Sequence, residues 1–321
     1  MVDDNAAIFG VRNAVIDRVR DRIRAMSTQS TLRSDQYRQL VRDEWTNEAT
    51  LAAWRKWHPK IVFQLQAMTD SLLEVARVRP DMKALDLVSG SGVPAIDLAR
   101  AIGPSGTVTA TDLSEGMLAI AEANAKEAGI TNISFQQADV ERLPFADETF
   151  DLVTSRLGAM YFVDFQRALS EIRRLLKPRG RVALAVWGPV DQGTYVVTTV
   201  GPFFKRSGVP PAPPRDAPSP YRFADPGTLK DELVGAGFQQ VEEHSQTVPV
   251  PWSGPPEECW QELYDVAIPL RPIFDGLPAP ERVRAIEEAA DLLREHYDGT
   301  TIHITASIVV DRGHCLSRNA R

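Results

Sequence analysis

Gly90, Gly92 and Ala95 stand in the spacing G-x-G-x-x-A, between a short apolar run at 84–88 and a helix-like stretch at 94–102. A strand, a tight glycine turn and a helix N-terminus together present backbone N–H groups to a ligand. Two carboxylates close the next apolar runs, Asp112 after 107–111 and Asp139 after 133–138. A carboxylate at the first position can accept from ribose hydroxyls, and one at the second from an adenine amino group. The glycine pattern with Asp112 also fits a dinucleotide, though many glycine turns satisfy it. Asp86, inside the strand before the loop, argues against that ligand, because its charge opposes a diphosphate and suits a cation. For proton transfer the first candidates are His58, in the cluster Trp45, Trp54, Trp57 and His58, and Tyr161, just beyond the fourth strand. His296, Tyr297 and His303 belong to or border a late helical stretch, and a histidine taken alone is more often a surface or packing residue.

The elements that must position these groups alternate. Strands are predicted at 84–88, 107–111, 133–136, 150–155 and 181–187, with amphipathic helices between them. Ser114 caps one helix and Gly129 ends it. The run at 181–187 is apolar almost throughout, as a central parallel strand requires. Such alternation predicts a doubly wound, mostly parallel α/β sheet. The chain divides into an N-terminal helical region or lid (1–80), a core (81–190), a proline-rich insertion (191–225), a further core helix and strand (226–250), a helical insertion (251–300), a last core strand (301–312) and a polar tail (313–321). Apolar spacing at 8–26 predicts a surface or dimer-contact helix, so a homodimer is among the expectations.

Four segments in order, ALDLVSGSG, VTATDLSEGML, ISFQQADVERLPFADETFDLVTSRLGAMYF and EIRRLLKPRGRVALAVWG, resemble the class I S-adenosylmethionine (SAM)-dependent methyltransferases, nearest the ubiquinone/menaquinone-biosynthesis C-methyltransferase-like subgroup. The likeness covers roughly 80–190 of the chain. It implies a seven-stranded Rossmann-like sheet, SAM as cofactor and S-adenosylhomocysteine as product. It also implies that Asp86, Ser89, Gly90 and Gly92 border the methionine part and that Asp112 takes the ribose hydroxyls. By the same likeness Leu113 and Met117 flank the adenine, Asp139 and Val140 bind its amino edge, and Ser155 and Arg156 close the pocket. One departure is Val88, which stands where the family has its first glycine and implies a less close backbone approach. Transfer from an activated methyl is an in-line displacement, so alignment and water exclusion dominate and a base is needed only for a nucleophile that must lose a proton. The expected acceptor is a small aromatic or quinone-like molecule, enclosed by the tryptophan-rich helices and the late insertions.

Composition narrows the rest. With 36 Lys and Arg against 43 Asp and Glu, the net charge of −7 argues against a general nucleic-acid binder. No apolar run approaches the roughly 20 residues of a membrane span. The N-terminus reads as neither signal nor transit peptide. Two cysteines, Cys259 and Cys315, make no disulfide framework and no zinc site, so no metal and a cytoplasmic setting are expected. The competing readings are a catalytically silent SAM-fold binding or oligomerisation module and an NAD-dependent oxidoreductase.

Overall fold

The computed structural model describes residues 34–207 and 218–315. The helix expected at 8–26, residues 208–217 of the proline-rich stretch and residues 316–321 of the tail lie outside them. Helices α1 (Ser34–Thr46) and α2 (Glu48–Ala76) come first. Asn47 separates them, and its side chain accepts the Thr50 N–H to cap α2. Trp57, Ile61, Leu65, Met68, Leu72 and Ala76 recur along α2 at three- and four-residue steps, and all are buried in the main core. So most of α2 is part of that core, and α1 with the first turns of α2 covers the carboxyl edge of the sheet.

The alternating part runs β1 (Lys83–Leu87), α3 (Ala95–Ile102), β2 (Thr107–Asp112), α4 (Glu115–Glu127), β3 (Ile133–Gln137), β4 (Phe150–Arg156), α5 (Phe165–Leu175) and β5 (Leu176–Trp187). Beyond it lie α6 (Tyr195–Thr199), α7 (Gly201–Arg206), α8 (Thr228–Gly235), β6 (Gln239–Pro249), α9 (Pro256–Val266), α10 (Arg271–Asp275), α11 (Ala279–Arg294) and β7 (Thr305–His314). The sheet has seven strands in the order β3-β2-β1-β4-β5-β7-β6. The first five are parallel, and β7 is antiparallel to both neighbours. This is the doubly wound, mostly parallel sheet the sequence predicts. The order reverses at β1 and β4, where such sheets open a crevice beyond their carboxyl ends.

Two differences concern the late chain. The apolar pattern predicts a last strand over 301–312 and a polar tail from 313, but β7 continues to His314 and holds its register with β5 throughout. Thr301 and Ile302 instead pair with Ser253 and Trp252 in a separate two-stranded ladder. Charges are tolerated inside β7 because Arg312 donates to the Val75 carbonyl at 3.1 Å and meets Glu242 at 2.5 Å. Burial pushes the Asp311 carboxyl up to about 8, so it sits in the core uncharged at neutral pH. The second difference is that the late insertions build a small core of their own around Phe203, Phe204, Leu263 and Phe274. There the Phe203 and Trp260 rings stack 4.4 Å apart.

Candidate functional site

At the switch point the chain leaves β1 through Val88 and turns back along the carboxyl edge. Ser89 N–H donates to the Thr111 carbonyl at 2.9 Å, and Gly90 N–H donates to Asp112 Oδ2 at 2.9 Å. Asp112 Oδ1 accepts the Ser114 N–H at 2.9 Å, so one carboxylate ties the glycine loop to the start of α4. Burial raises the Asp112 pKa, and the backbone N–H donors of Ser114, Gly90 and Leu113 oppose that rise. The two loop glycines have different reasons. Gly90 has φ +52° and open space where a Cβ would stand, while a Cβ on Gly92 would lie 3.1–3.2 Å from Ile96 and Ala121. Gly90 therefore faces a ligand space, and Gly92 serves the packing of α3 against α4.

A cavity opens over this loop. Its floor is Leu87, Val88, Gly90, Asp112, Leu113 and Met117, one flank is 138–141, and the other is Leu157 with 161–163. Its roof is Arg38, Val41, Arg42 and Trp45 of α1 with Trp54 of α2. Trp45 lies 5.8 Å from Trp54 and 6.2 Å from Tyr161 between ring centroids, making an aromatic wall. Arg38 fastens the roof: its Nη2 and Nε donate to Glu141 Oε2 at 2.6 and 3.1 Å. Glu141 Oε1 in turn accepts the Asp164 N–H at 2.8 Å.

Of the residues singled out from sequence, Gly90, Asp112, Leu113, Met117, Asp139, Val140 and Tyr161 line this cavity, with Val88, Trp45 and Trp54. Asp86, Ser89, Ser155, Arg156 and His58 stand behind it. Asp86 is fully buried; Thr154 Oγ1 donates to its Oδ1 at 2.7 Å, and its Oδ2 has no partner among the described residues. Burial pushes its carboxyl up to about 6 against the pull of Thr154, Ser89 and Arg156. Ser89 Oγ donates to the Asp86 carbonyl and Ser155 Oγ to the Leu87 carbonyl, so both brace the backbone. Arg156, expected to close the pocket, turns the other way and donates to Thr69 Oγ1 at 2.7 Å and the Leu65 carbonyl at 3.3 Å. Burial lowers its guanidinium to about 10 while Asp86 and Asp97 hold it up, so it remains charged at neutral pH. His58 Nδ1 lies 3.0 Å from Ser91 Oγ, away from the cavity. Burial lowers its pKa and Arg156 adds to that, which keeps it neutral. Sequence reasoning missed Arg38, Val41, Arg42 and Glu141. The first three, with Trp45, follow the i, i+3, i+4, i+7 rhythm of one helix face and could have been found by it.

A model of the ubiE/COQ5 methyltransferase family matches residues 53–190. A ubiquinone/menaquinone biosynthesis C-methyltransferase UbiE of Ectopseudomonas mendocina (strain ymp) is 33% identical over 187 residues, spanning 54% of this chain and 72% of that protein. The chain belongs to the ubiE/COQ5 methyltransferase family. It is a SAM-dependent methyltransferase. Its counterpart of the same description in Shewanella frigidimarina is 32% identical over 184 residues, with 54% and 73% covered. Among solved structures, a Haemonchus contortus phosphoethanolamine N-methyltransferase shares the fold, with TM-score 0.50 and 17% identity over 89% of this chain and 61% of that one. Among the described residues no helix is long and apolar enough to cross a membrane, and no His, Cys, Asp and Glu cluster could hold a metal ion.

Proposed function

We propose that the cavity seats SAM at its Asp112 end and a small, largely apolar, aromatic or quinone-like acceptor at its Trp45–Trp54–Tyr161 end. The observation that carries this reading is one continuous space over the switch point, with carboxylates on one side and three aromatic rings on the other. The names of the relatives, which are quinone-biosynthesis enzymes, favour the same acceptor class.

The residues present fit the cofactor. Each Asp112 oxygen accepts one backbone N–H and keeps a lone pair for a ribose hydroxyl. The open space at Gly90 admits the ligand close to the backbone. Leu113 and Met117 would flank the adenine, with Asp139 and Val140 at its amino edge. When bound, SAM supplies a methyl group on a sulfonium centre, already activated for displacement. The chain's own task is alignment and exclusion of water, for which the Arg38–Glu141 pair holds α1 across the opening.

Neither base candidate from the sequence keeps that role in this reading. Burial holds the Tyr161 phenol well above its ordinary value, with Tyr221 and Glu44 adding to the rise, so Tyr161 donates a hydrogen bond rather than taking a proton. His58 positions the glycine loop through Ser91. Burial also raises the Glu44 carboxyl, whose charge adds to the rise at Tyr161. Residues 81–190 then form the cofactor half, and α1 with the insertions beyond β5 forms the acceptor half. Cys259 and Cys315 form no disulfide, which supports a reducing cytoplasm as the setting.

The test is to incubate the protein with methyl-labelled SAM and reduced 1,4-naphthoquinone and read label and mass in the extracted quinone. One added methyl, reduced sharply by Trp45→Ala at unchanged SAM affinity, is the expected result. SAM binding with no transfer to quinols, phenols or amines would favour a silent binding module instead. Thermal stabilisation by NAD but not by S-adenosylhomocysteine would overturn the cofactor assignment.

A further inference from the structure

The amino end of the sheet gathers cations that methyl transfer does not use. Arg181 of β5 is only 7% exposed, yet its guanidinium has no hydrogen bond or ion pair among the described residues. Side chains alternate along a strand, so Arg181 shares its face with Ala183 and Ala185, which pack into the main core with α2. On β7 the same face carries Ile308 and Val310, and then Arg312 and His314. His314 stands directly opposite Arg181 in the β5–β7 register, and Arg312, opposite Ala183, is the diagonal neighbour of Arg181. Diagonal neighbours lie about 7–8 Å apart, within reach of long side chains.

The end of α2 lies over this corner. Arg312 is 1% exposed; its Nη1 donates to the Val75 carbonyl at 3.1 Å, and its Nε has no partner among the described residues. Arg77, which caps α2, comes within 3.9 Å of Glu242 Oε2, while Oε1 of the same carboxylate meets Arg312 at 2.5 Å. From here a groove of about 520 Å³ runs between α2 and β6, with Arg77, Glu242, His244 and Arg312 in its walls. Three guanidinium groups thus share one carboxylate. Asp151 is already taken, since Lys177 Nζ lies 2.8 Å from both its oxygens. Glu74, on the α2 wall of the groove, is exposed, where salt screens its charge. Like charges held together in partly buried positions cost free energy unless a counter-charge joins them.

We propose that Arg181, Arg312 and Arg77 form a binding site for a phosphate-class oxyanion, at the end of the sheet opposite the methyl-transfer cavity. Glu242 balances one of the three positive charges, and the two that remain match a dianion. Planar guanidinium forks suit phosphate oxygens. The buried stems of Arg181 and Arg312 hold their heads in place, so binding loses little side-chain freedom. The electrostatics agree with this geometry. Burial lowers the Arg181 pKa, and Arg79, Arg312 and Arg77 add to that while Asp151 opposes it. The groove and the cavity have no lining residue in common, so the site is independent of the choice of methyl acceptor.

The experiment compares the full chain in inorganic phosphate and in sodium chloride of equal ionic strength. Near saturation, phosphate should raise the melting temperature by at least about 3 °C over chloride. By calorimetry, Arg181→Met and Arg77→Gln should each weaken phosphate at least about tenfold. Arg181→Met keeps an apolar stem in the core and removes a like charge, so in chloride it should melt at or above the wild type. Arg77→Gln lies at an exposed helix end and tests the site without touching the core. Affinity for S-adenosylhomocysteine, which should be the same in all three proteins, is the control for an intact fold. A second arm uses phosphatidylcholine vesicles with and without phosphatidic acid. Phosphate binding without cosedimentation assigns a soluble phosphate compound, and cosedimentation that free phosphate competes away assigns a lipid headgroup. Equal melting temperatures in phosphate and chloride, unchanged phosphate affinity in either variant, or Arg181→Met melting well below the wild type in chloride would overturn the proposal.

Discussion

Replacing Val88 by glycine and by alanine tests the loop position where the sequence resemblance expects a glycine. Val88 closes β1 at φ +55°, in the left-handed region, with its side chain 36% exposed at the cavity floor. A β-branched residue there is a genuine outlier. The strain of a non-glycine residue in this region is roughly 1–2 kcal/mol. Glycine removes it but adds about 0.5–1 kcal/mol of backbone entropy and forfeits about 1 kcal/mol from a partly buried isopropyl group. Val88→Gly should therefore be nearly neutral, within about 1 kcal/mol, a shift of about 2–4 °C in melting temperature. Val88→Ala keeps the strain, loses the same contact and should be less stable than Val88→Gly by about 0.5–1 kcal/mol. At an ordinary strand end that order is reversed. Urea unfolding of the three proteins measures it, and calorimetry with S-adenosylhomocysteine should show affinity equal or higher in Val88→Gly. An alanine variant as stable as the glycine one would refute the strain argument. A large loss of affinity in a folded Val88→Gly would show that the isopropyl group contacts the cofactor.

Asp112→Ala should weaken SAM by about 1.5–3 kcal/mol, the value of hydrogen bonds to a charged group; unchanged affinity by calorimetry in a folded variant rejects Asp112 as the ribose acceptor. Trp54→Ala should raise the acceptor's Michaelis constant or lower turnover with SAM affinity kept. Trp57→Ala should instead cost about 3–5 kcal/mol of stability by denaturation, since its ring lies 5.7 Å from that of Trp252 and its Nε1 donates to Asp265 at 2.8 Å. Asp311 has no partner for either carboxylate oxygen among the described residues and a folded pKa of about 8, above its unfolded value, so the native state holds the extra proton. Its contribution is complete at acid pH, below the unfolded value, and is lost as pH rises through about 8. Asp311→Asn should flatten the decline in melting temperature across that range, and an unchanged slope would reject the assignment.

The parallel half of the sheet was legible because each strand, cap and turn there follows a local rule. The continuous apolar run of β5, the Ser114 cap and the carboxylates closing β2 and β3 are set by neighbours in sequence. The cavity residues from these elements were found for the same reason. What was not legible depends on partners far along the chain. Arg156 was placed at the pocket, but a buried guanidinium needs acceptors, and α2 supplies them through Leu65 and Thr69. Gly313 and His314 at the end of β7 looked like tail because Asp311 and Arg312 break the apolar pattern just before them; one is accommodated by burial as a neutral acid and the other by Val75 and Glu242. His58 looked like a base from its aromatic setting, yet its partner is Ser91, which sequence distance hides.

The division of the site along the chain has a consequence for specificity. The segment matched by the family model, 53–190, supplies Gly90, Asp112, Met117 and Asp139, the groups on the cofactor side. Most of the roof, Arg38, Val41, Arg42 and Trp45, comes from α1 before that segment. The fastenings between the two halves include Arg38 on Glu141, Arg222 on the Phe162 carbonyl and the Ser219 N–H on the Met160 carbonyl. Substitutions on the acceptor side can then change which molecule is held without disturbing Asp112 or the glycine loop. Independence of this kind is expected when the sites share no partner. The fastenings are the exception, because loosening one moves a wall of the cavity as well as an acceptor contact. Changes confined to Trp45 should therefore alter acceptor choice at constant SAM affinity, whereas changes at Arg38 or Glu141 should alter both.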